Sequence, residues 1–224
     1  MIAIFLQARL ASSRLPGKAL LKLADIPVIV HAMRALNAVK ADVRSLLTTQ
    51  DAAPALKPLA EAEGWELFTG PEEDVLARYV FAARKYGADR IVRATGDNPL
   101  VSAAAANAIL HLAQNADYAG FTGIPLGSGV EILRTAALEE AFAEANDVYE
   151  REHVAPFLYR RPLRYRIFTP AAAPEMQAPN SRITLDTQED YRYLSRLFTH
   201  LYRNRPLEIE DIAAWLKAHP HHAG

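Results

Sequence analysis

Short apolar runs alternate with stretches of helical periodicity across the first two-thirds of this chain, and that rhythm restricts the fold more than any other feature. Runs of four to six mostly apolar residues are too short for core helices and suit strands buried on both faces. Helices between such runs argue for parallel βαβ units and an α/β fold. Ile2–Leu6 reads as the first strand, Val43–Thr48 and Trp65–Phe68 as the next two, and Arg90–Ala94 as the fourth. The alanine- and glutamate-rich stretch Ala53–Glu63 separates the second from the third. Pro27–Ala38 reads as a helix with proline in its first turn, and Glu73–Tyr86 as a helix behind Gly70 and Pro71. Ser102 is placed to cap a helix running to Asn115.

The rhythm breaks after Tyr118. Gly120, Gly123, Pro125, Gly127 and Gly129 mark a loop, and Val130–Leu133 reads as the strand leaving it. Arg134–Asn146 and Tyr149–Tyr159 read as helices, Tyr165–Thr169 as a strand and Pro170–Pro179 as a loop. A short strand, Arg182–Leu185, precedes a helix carrying Tyr191, Leu194, Phe198 and Leu201 at helical spacing, and the last helix is Ile209–His219. No internal repeat and no change of composition divides the chain.

Composition removes several classes of function. With 25 Lys and Arg against 26 Asp and Glu, the net charge of −1 supplies no field to draw the protein onto nucleic acid or an anionic membrane. Any anion site is therefore local. Arg161, Arg164, Arg166 and Arg203 carry no aromatic–basic signature of an RNA module. With no cysteine there is no disulfide, cysteine-ligated zinc, iron–sulfur cluster or thiol nucleophile, which fits a reducing cytoplasm. No run of 18 apolar residues exists to span a membrane. His219, His221 and His222 read as a frayed terminus, not a metal site.

The chemistry concentrates in three places. QARLASSRLPGK, Gln7 to Lys18, directly follows the first strand, at the carboxyl end of a sheet where α/β proteins bind ligands. Arg9, Arg14 and Lys18, the hydroxyls of Ser12 and Ser13, and backbone freed by Gly17 together suit a polyphosphate. The alternative is a solvated basic loop. It is neither a Walker A loop nor a dinucleotide fingerprint. Asp97, in RATGDNPL, ends the fourth strand, where it suits a Mg²⁺ ligand or, alternatively, a turn. Asp186, in TLDTQEDY, is either the N-cap of the following helix or a metal ligand, with Thr187 available to cap in its place.

QARLASSRLPGK, GPEEDVLARY (Gly70–Tyr79), VRATGDNPL (Val92–Leu100), GVEIL (Gly129–Leu133), REHV (Arg151–Val154) and RITLDTQEDY (Arg182–Tyr191) follow one another in a recognisable order. Together they resemble the cytidylyltransferase family of spore-coat polysaccharide biosynthesis proteins, related to the CMP-KDO and CMP-sialate synthetases. The resemblance spans nearly the whole chain. It implies a nucleotide-diphosphosugar-transferase (GT-A-like) fold, an α/β three-layer sandwich with a mixed, mostly parallel central sheet. One nucleotidyltransferase domain would cover residues 1–224, with a nucleotide-binding part over about 1–118, an acceptor and dimerisation part over about 119–181, and a closing strand with C-terminal helices over 182–224.

The implied activity is Mg²⁺-dependent transfer of CMP from CTP to a sugar, acidic or amino, for surface polysaccharide, with release of pyrophosphate. By the same resemblance a homodimer is the expected assembly, and the lack of cysteine and of a targeting segment gives the expectation of a cytoplasmic protein. Carried over position by position, Arg9, Arg14, Lys18 and Asp97 would be catalytic, with Arg9 and Lys18 on the phosphates and Arg14, Ser12 and Ser13 supporting the nucleotide-binding loop. Leu6, Gln7 and Ala8 would meet the base, and Gly70, Asp74 and Arg78 would form the second wall. Asp97 and Asp186 would hold Mg²⁺, and Glu131, Arg151 and His153 would lie on the acceptor side. His153 is the one candidate base; its alternative is a buried histidine bonded to backbone. Two positions depart from the family pattern: Asn98 stands where cysteine is usual, and Leu126 where an arginine is common. Those departures keep open a catalytically silent sugar-nucleotide-binding protein, and base selectivity leaves room for another nucleoside triphosphate. A glycosyltransferase of the same superfamily fits the SSRLPGK loop less well.

Overall fold

The computed structural model describes residues 1–219. Its strands are β1 (Ile2–Gln7), β2 (Lys22–Leu23), β3 (Ile26–Pro27), β4 (Val43–Thr48), β5 (Glu66–Thr69), β6 (Arg90–Thr95), β7 (Tyr118–Ala119), β8 (Glu131–Arg134) and β9 (Ile167–Phe168). The helices are α1 (Val28–Leu36), α2 (Ala53–Ala62), α3 (Val75–Tyr86), α4 (Ala103–Leu112), α5 (Thr135–Glu144), α6 (Val148–His153), α7 (Pro156–Tyr159), α8 (Gln188–Leu201) and α9 (Ile209–Ala218). Seven strands form one sheet in the order β5-β4-β1-β6-β8-β7-β9. β8 alone runs against the others, pairing antiparallel with both β6 and β7. The sheet is therefore mixed and mostly parallel, as the resemblance implied.

β1 owes its central place to its composition. Ile4 and Leu6 enter a core cluster with α1, α2 and α4, while Ala3 and Phe5 enter a second one with α3, α5 and α7 on the opposite face. A strand apolar on both faces is buried only between two helical layers, which gives the three-layer sandwich. From β1 the chain moves outward to β4 and β5, then returns across β1 to β6. The loops after β1 and β6 therefore part at the carboxyl ends of adjacent strands, opening a crevice at the switch point. A third cluster joins Leu23, Val28 and Leu100 to Ile183, Leu185, α8 and α9, and docks the C-terminal helices beside that crevice.

Several expectations shift. Arg182–Leu185 is not a strand: a single bridge pairs Arg182 with Leu126, because the opposing segment holds Pro125 and a left-handed Gly127 (φ 102°), which cannot extend a ladder. Tyr149–Tyr159 is two helices, not one. Pro156 cannot continue α6, and Val154 turns the chain at φ 71° before α7 starts on that proline. The β2–β3 hairpin has no glycine signal; Ala24 and Asp25 both take positive φ in its turn. His219 stacks on Trp215 at 4.5 Å and its carbonyl accepts from Tyr193, so it is anchored where a frayed end was expected. His221 and His222 lie outside the described residues. Among the described residues no helix is long and apolar enough to cross a membrane.

Gly96 is the tightest point between sheet and crevice. Its amide donates to the Gln7 carbonyl at 2.8 Å, and a Cβ there would stand 2.4 Å from Ile29 Cδ1 and 3.0 Å from Ala8 Cβ. Gly96→Ala is expected to destabilise the protein by about 1–3 kcal/mol through overpacking, read as a lower urea midpoint. An unchanged midpoint would show that Ile29 yields freely.

Candidate active site

Lys18 follows Gly17, whose left-handed φ of 66° turns the loop into a single 3₁₀ turn, Lys18–Leu20. That turn directs the Lys18 ammonium into the crevice, where it donates to Asp97 Oδ2 at 2.6 Å and Asp186 Oδ1 at 2.8 Å. The side chain is only 14% exposed. Burial by itself would lower its pKa, but the Asp97 charge and hydrogen bonds to both carboxylates outweigh this and hold the ammonium above its ordinary value. Burial likewise works to raise Asp186, yet the Lys18 hydrogen bond and charge, with Arg14 and Thr184 behind them, keep it below the usual carboxylate range.

Asp97 reaches this point because β6 ends one residue before Gly96, which pins the turn against β1. The Asp97 carbonyl then accepts from the Leu185 amide at 3.0 Å, tying the Asp186 segment alongside. Asp186 is available because it does not cap α8. Thr187 does, accepting from the Asp190 amide at 3.2 Å, and the Asp190 carboxylate accepts from the Thr187 amide at 2.8 Å in a reciprocal capping box. Arg182 grips both acids, Asp186 at 3.1 Å and Asp190 at 2.6 Å, and Arg14 lies 3.4 Å from Asp186.

Lys18, Arg14, Asp97 and Asp186 are thus brought together. Arg9 stands apart in an exposed pair with Glu152 at 3.3 Å, an interaction worth little in water. Ser12 accepts weakly from the Leu15 amide at 3.4 Å, and Ser13 is exposed. Leu6 and Ala8 are buried; the Ala8 amide donates to Leu47 and its carbonyl accepts from Thr48, so both serve the fold. Between them, Gln7 Oε1 is buried with no hydrogen-bond partner among the described residues, which marks it as an acceptor open to a ligand.

The second wall is built differently from the expectation. Arg78 is 2% exposed and donates to the Pro71 and Glu72 carbonyls, so it braces the loop instead of facing solvent. A Cβ on Gly70 would meet Arg78 Cγ at 2.8 Å, so glycine there lets the guanidinium pass beneath. Asp74 caps α3 through the Ala77 amide at 2.9 Å and accepts from Arg151 at 2.9 Å. Arg151 also donates to the Ala145 and Phe142 carbonyls, which makes it a strut between α3 and α5 where an acceptor contact was expected.

Glu131 pairs with Arg93 across β6 and β8 and accepts from Tyr118 at 3.0 Å. His153 is exposed and packs on Tyr149 at 4.2 Å, so the buried alternative fails. Asn98 donates to Thr95 at 2.7 Å and stands behind Gly127, while Leu126 is 63% exposed and holds Ser181 and Ile183 through its backbone. Arg182, Asp190 and Arg93 escaped the sequence reading. Only the Thr187–Asp190 capping spacing could have signalled Asp190 in advance; the pairing of Arg93 needs the register of β6 with β8.

A metal is testable against this geometry. Two carboxylates from distant loops converge on one cationic nitrogen, and hard oxygen donors so placed suit Mg²⁺. Among the described residues no three His, Cys, Asp or Glu side chains gather into a metal cage. The residues present therefore fit an ion held by two carboxylates and completed by phosphate oxygens and water, the ordinary Mg²⁺ arrangement at phosphate sites.

Comparison with known proteins gives a coherent neighbourhood. A family model described as cytidylyltransferase matches residues 3–212. The spore coat polysaccharide biosynthesis protein SpsF of Bacillus subtilis is 28% identical, over 98% of this chain and 95% of that one. A 3-deoxy-manno-octulosonate cytidylyltransferase of Anaeromyxobacter is 30% identical, over 71% of this chain and 66% of its own. The solved structure of a cytidylyltransferase from Leptospira borgpetersenii superposes with a TM-score of 0.90 at 27% identity, covering 98% of this chain and 94% of that one.

The coupling of Lys18 to Asp186 has a signature in pH. A depressed Asp186 adds stability that is present above the unfolded carboxylate value, about 3.9, and is lost as pH falls through the lower folded value. A raised Lys18 adds stability present below its ordinary value and lost as pH rises through the higher folded one. Asp186→Asn is therefore expected to lose stability less steeply than the native chain as pH drops below about 4, in a pH series of urea melts. Parallel slopes would show that Lys18 does not hold this carboxylate.

Proposed function

The chain belongs to the cytidylyltransferase family, and from that membership we propose that it transfers CMP from CTP to a sugar hydroxyl with Mg²⁺ present. The observation that carries the reading is the convergence of Lys18, Asp97 and Asp186 at the switch point of the sheet. The sugar oxygen forms a bond to the α-phosphorus, the bond from that phosphorus to the bridging oxygen breaks, and pyrophosphate leaves with the electron pair. The hydroxyl proton passes to solvent or to a phosphate oxygen.

Lys18 and Arg14 supply cations for the phosphates at the mouth of the crevice, where donors aimed at the phosphate oxygens stabilise developing charge. Arg9, on the same loop, exchanges its exposed Glu152 contact for a phosphate. Gln7 offers its unpaired oxygen to the exocyclic amine of cytosine, an acceptor-to-donor match. Asp97 and Asp186 would hold Mg²⁺, which when bound would supply charge neutralisation at the phosphates and the leaving group. Glu131, held by Arg93 and Tyr118, faces the acceptor side as a fixed carboxylate. Arg78, Asp74 and Arg151 keep the second wall rigid. A sugar acceptor is supported by the polysaccharide-biosynthesis and octulosonate relatives, and the acidic octulosonate of the latter favours an acidic sugar over an amino sugar.

The test has two arms. Thermal unfolding is followed with CTP, UTP, GTP or ATP, each with and without Mg²⁺. CTP at a hundred times its dissociation constant should add about 2.7 kcal/mol, a rise of roughly 5–10 °C that depends on Mg²⁺. A rise with another nucleotide would change the product; none with any would favour the silent binding protein. Asp97→Asn is then expected to cut pyrophosphate release with 3-deoxy-manno-octulosonate or amino sugars at least about 100-fold while the chain stays folded. A fully active variant would sink the metal assignment.

A further inference from the structure

The charges at the head of the crevice are balanced within the chain. Three carboxylates, Asp97, Asp186 and Asp190, face three cations, Arg14, Lys18 and Arg182, at separations of 2.6 to 3.4 Å. Lys18 lies between Asp97 and Asp186, at the spot both carboxylates would have to share to hold one divalent cation. A divalent cation arriving by itself meets two obstacles. It has to expel an ammonium that is only 14% exposed, leaving that charge beside its own, and it finds two protein carboxylates where it needs about six oxygens. A triphosphate removes both obstacles, since its oxygens complete the coordination and give the ammonium a new anionic partner.

We propose that Lys18 is a built-in counter-ion that keeps the divalent cation out until a nucleoside triphosphate draws the ammonium away, so that metal and nucleotide bind only in concert. This rests on the metal assignment made under Proposed function. Coupling of this kind is reciprocal: whatever the nucleotide does for metal affinity, the metal does for nucleotide affinity. Lys18 is then the element through which the two bindings communicate, because its ammonium pairs with both carboxylates that the metal would need.

The experiment titrates Mn²⁺ alone into the full chain and follows the free-ion signal by electron paramagnetic resonance, without and with CTP. The native chain is expected to bind Mn²⁺ weakly without CTP and at least about 10-fold more tightly with it. Lys18→Met is expected to bind Mn²⁺ alone about 10-fold more tightly than the native chain, and to gain far less from CTP. The double variant Lys18→Met/Asp186→Asn should lose that gain, which places it at this site. Mn²⁺ affinity in Lys18→Met no higher than native overturns the inference while leaving the metal assignment intact. Failure of Mn²⁺ to bind the native chain even with CTP overturns both. If Lys18→Met folds poorly, Mn²⁺ alone should raise its unfolding midpoint by more degrees than it raises the native one; an equal rise overturns the inference.

Discussion

One ammonium shared by two carboxylates holds the functional end of this protein together. Lys18 meets Asp97 and Asp186 from 79 and 168 residues away in sequence, so a single contact joins the loop after β1, the loop after β6 and the entry to α8. None of those three segments lies in a ladder of the main sheet. The Lys18 loop has one short turn, the Asp97 loop leans on Gly96, and the Asp186 segment has a lone bridge to Leu126 instead of a ladder. Partial burial makes the contact matter, since the same charges in open water would attract one another far less.

The surrounding groups make that contact reproducible. Thr187 takes over the helix cap, which frees Asp186, and Asp190 returns the favour to the Thr187 amide while offering Arg182 a second anchor. Cap, carboxylate and guanidinium thus form one unit, and its orientation is fixed by α8, whose apolar face packs into the third core cluster. The opposite wall follows another logic. Arg78 and Arg151 are charged residues used as internal braces, satisfying carbonyls of the loop before α3 and of the C-terminal end of α5. Arg9, Arg14 and Lys18 pair with carboxylates, whereas Arg78 and Arg151 are committed chiefly to backbone carbonyls.

The acceptor side shows where resemblance and geometry separate. Glu131 keeps a fixed carboxylate through Arg93 and Tyr118, consistent with a site residue. Arg151 and His153 stand two residues apart in REHV, yet a three-way strut claims the first, and the second is exposed and packs on Tyr149. Motif neighbours share a helix, but a helix sends successive side chains in different directions, so adjacency in sequence implies no shared role.

The sequence by itself determined the α/β class, the position of β1 and β4 and the cap at Ser102. Those features rest on local periodicity, on residues apolar on both faces and on turn chemistry, all of which act over a few residues. It also exposed the competition between Asp186 and Thr187 for one cap. Tertiary structure alone decided that competition, because the winner depends on Lys18, Arg14 and Arg182 arriving from elsewhere. It decided likewise that Arg182–Leu185 forms no strand, that Arg78 and Arg151 brace loops, and that β8 is the reversed strand. Some deciding partners are distant, as Lys18 is from Asp186, and others lie only six to nine residues away, as the carbonyls of Pro71, Glu72, Ala145 and Phe142 do, but in every case the energy of a charge or an unpaired carbonyl is set by what packs beside it.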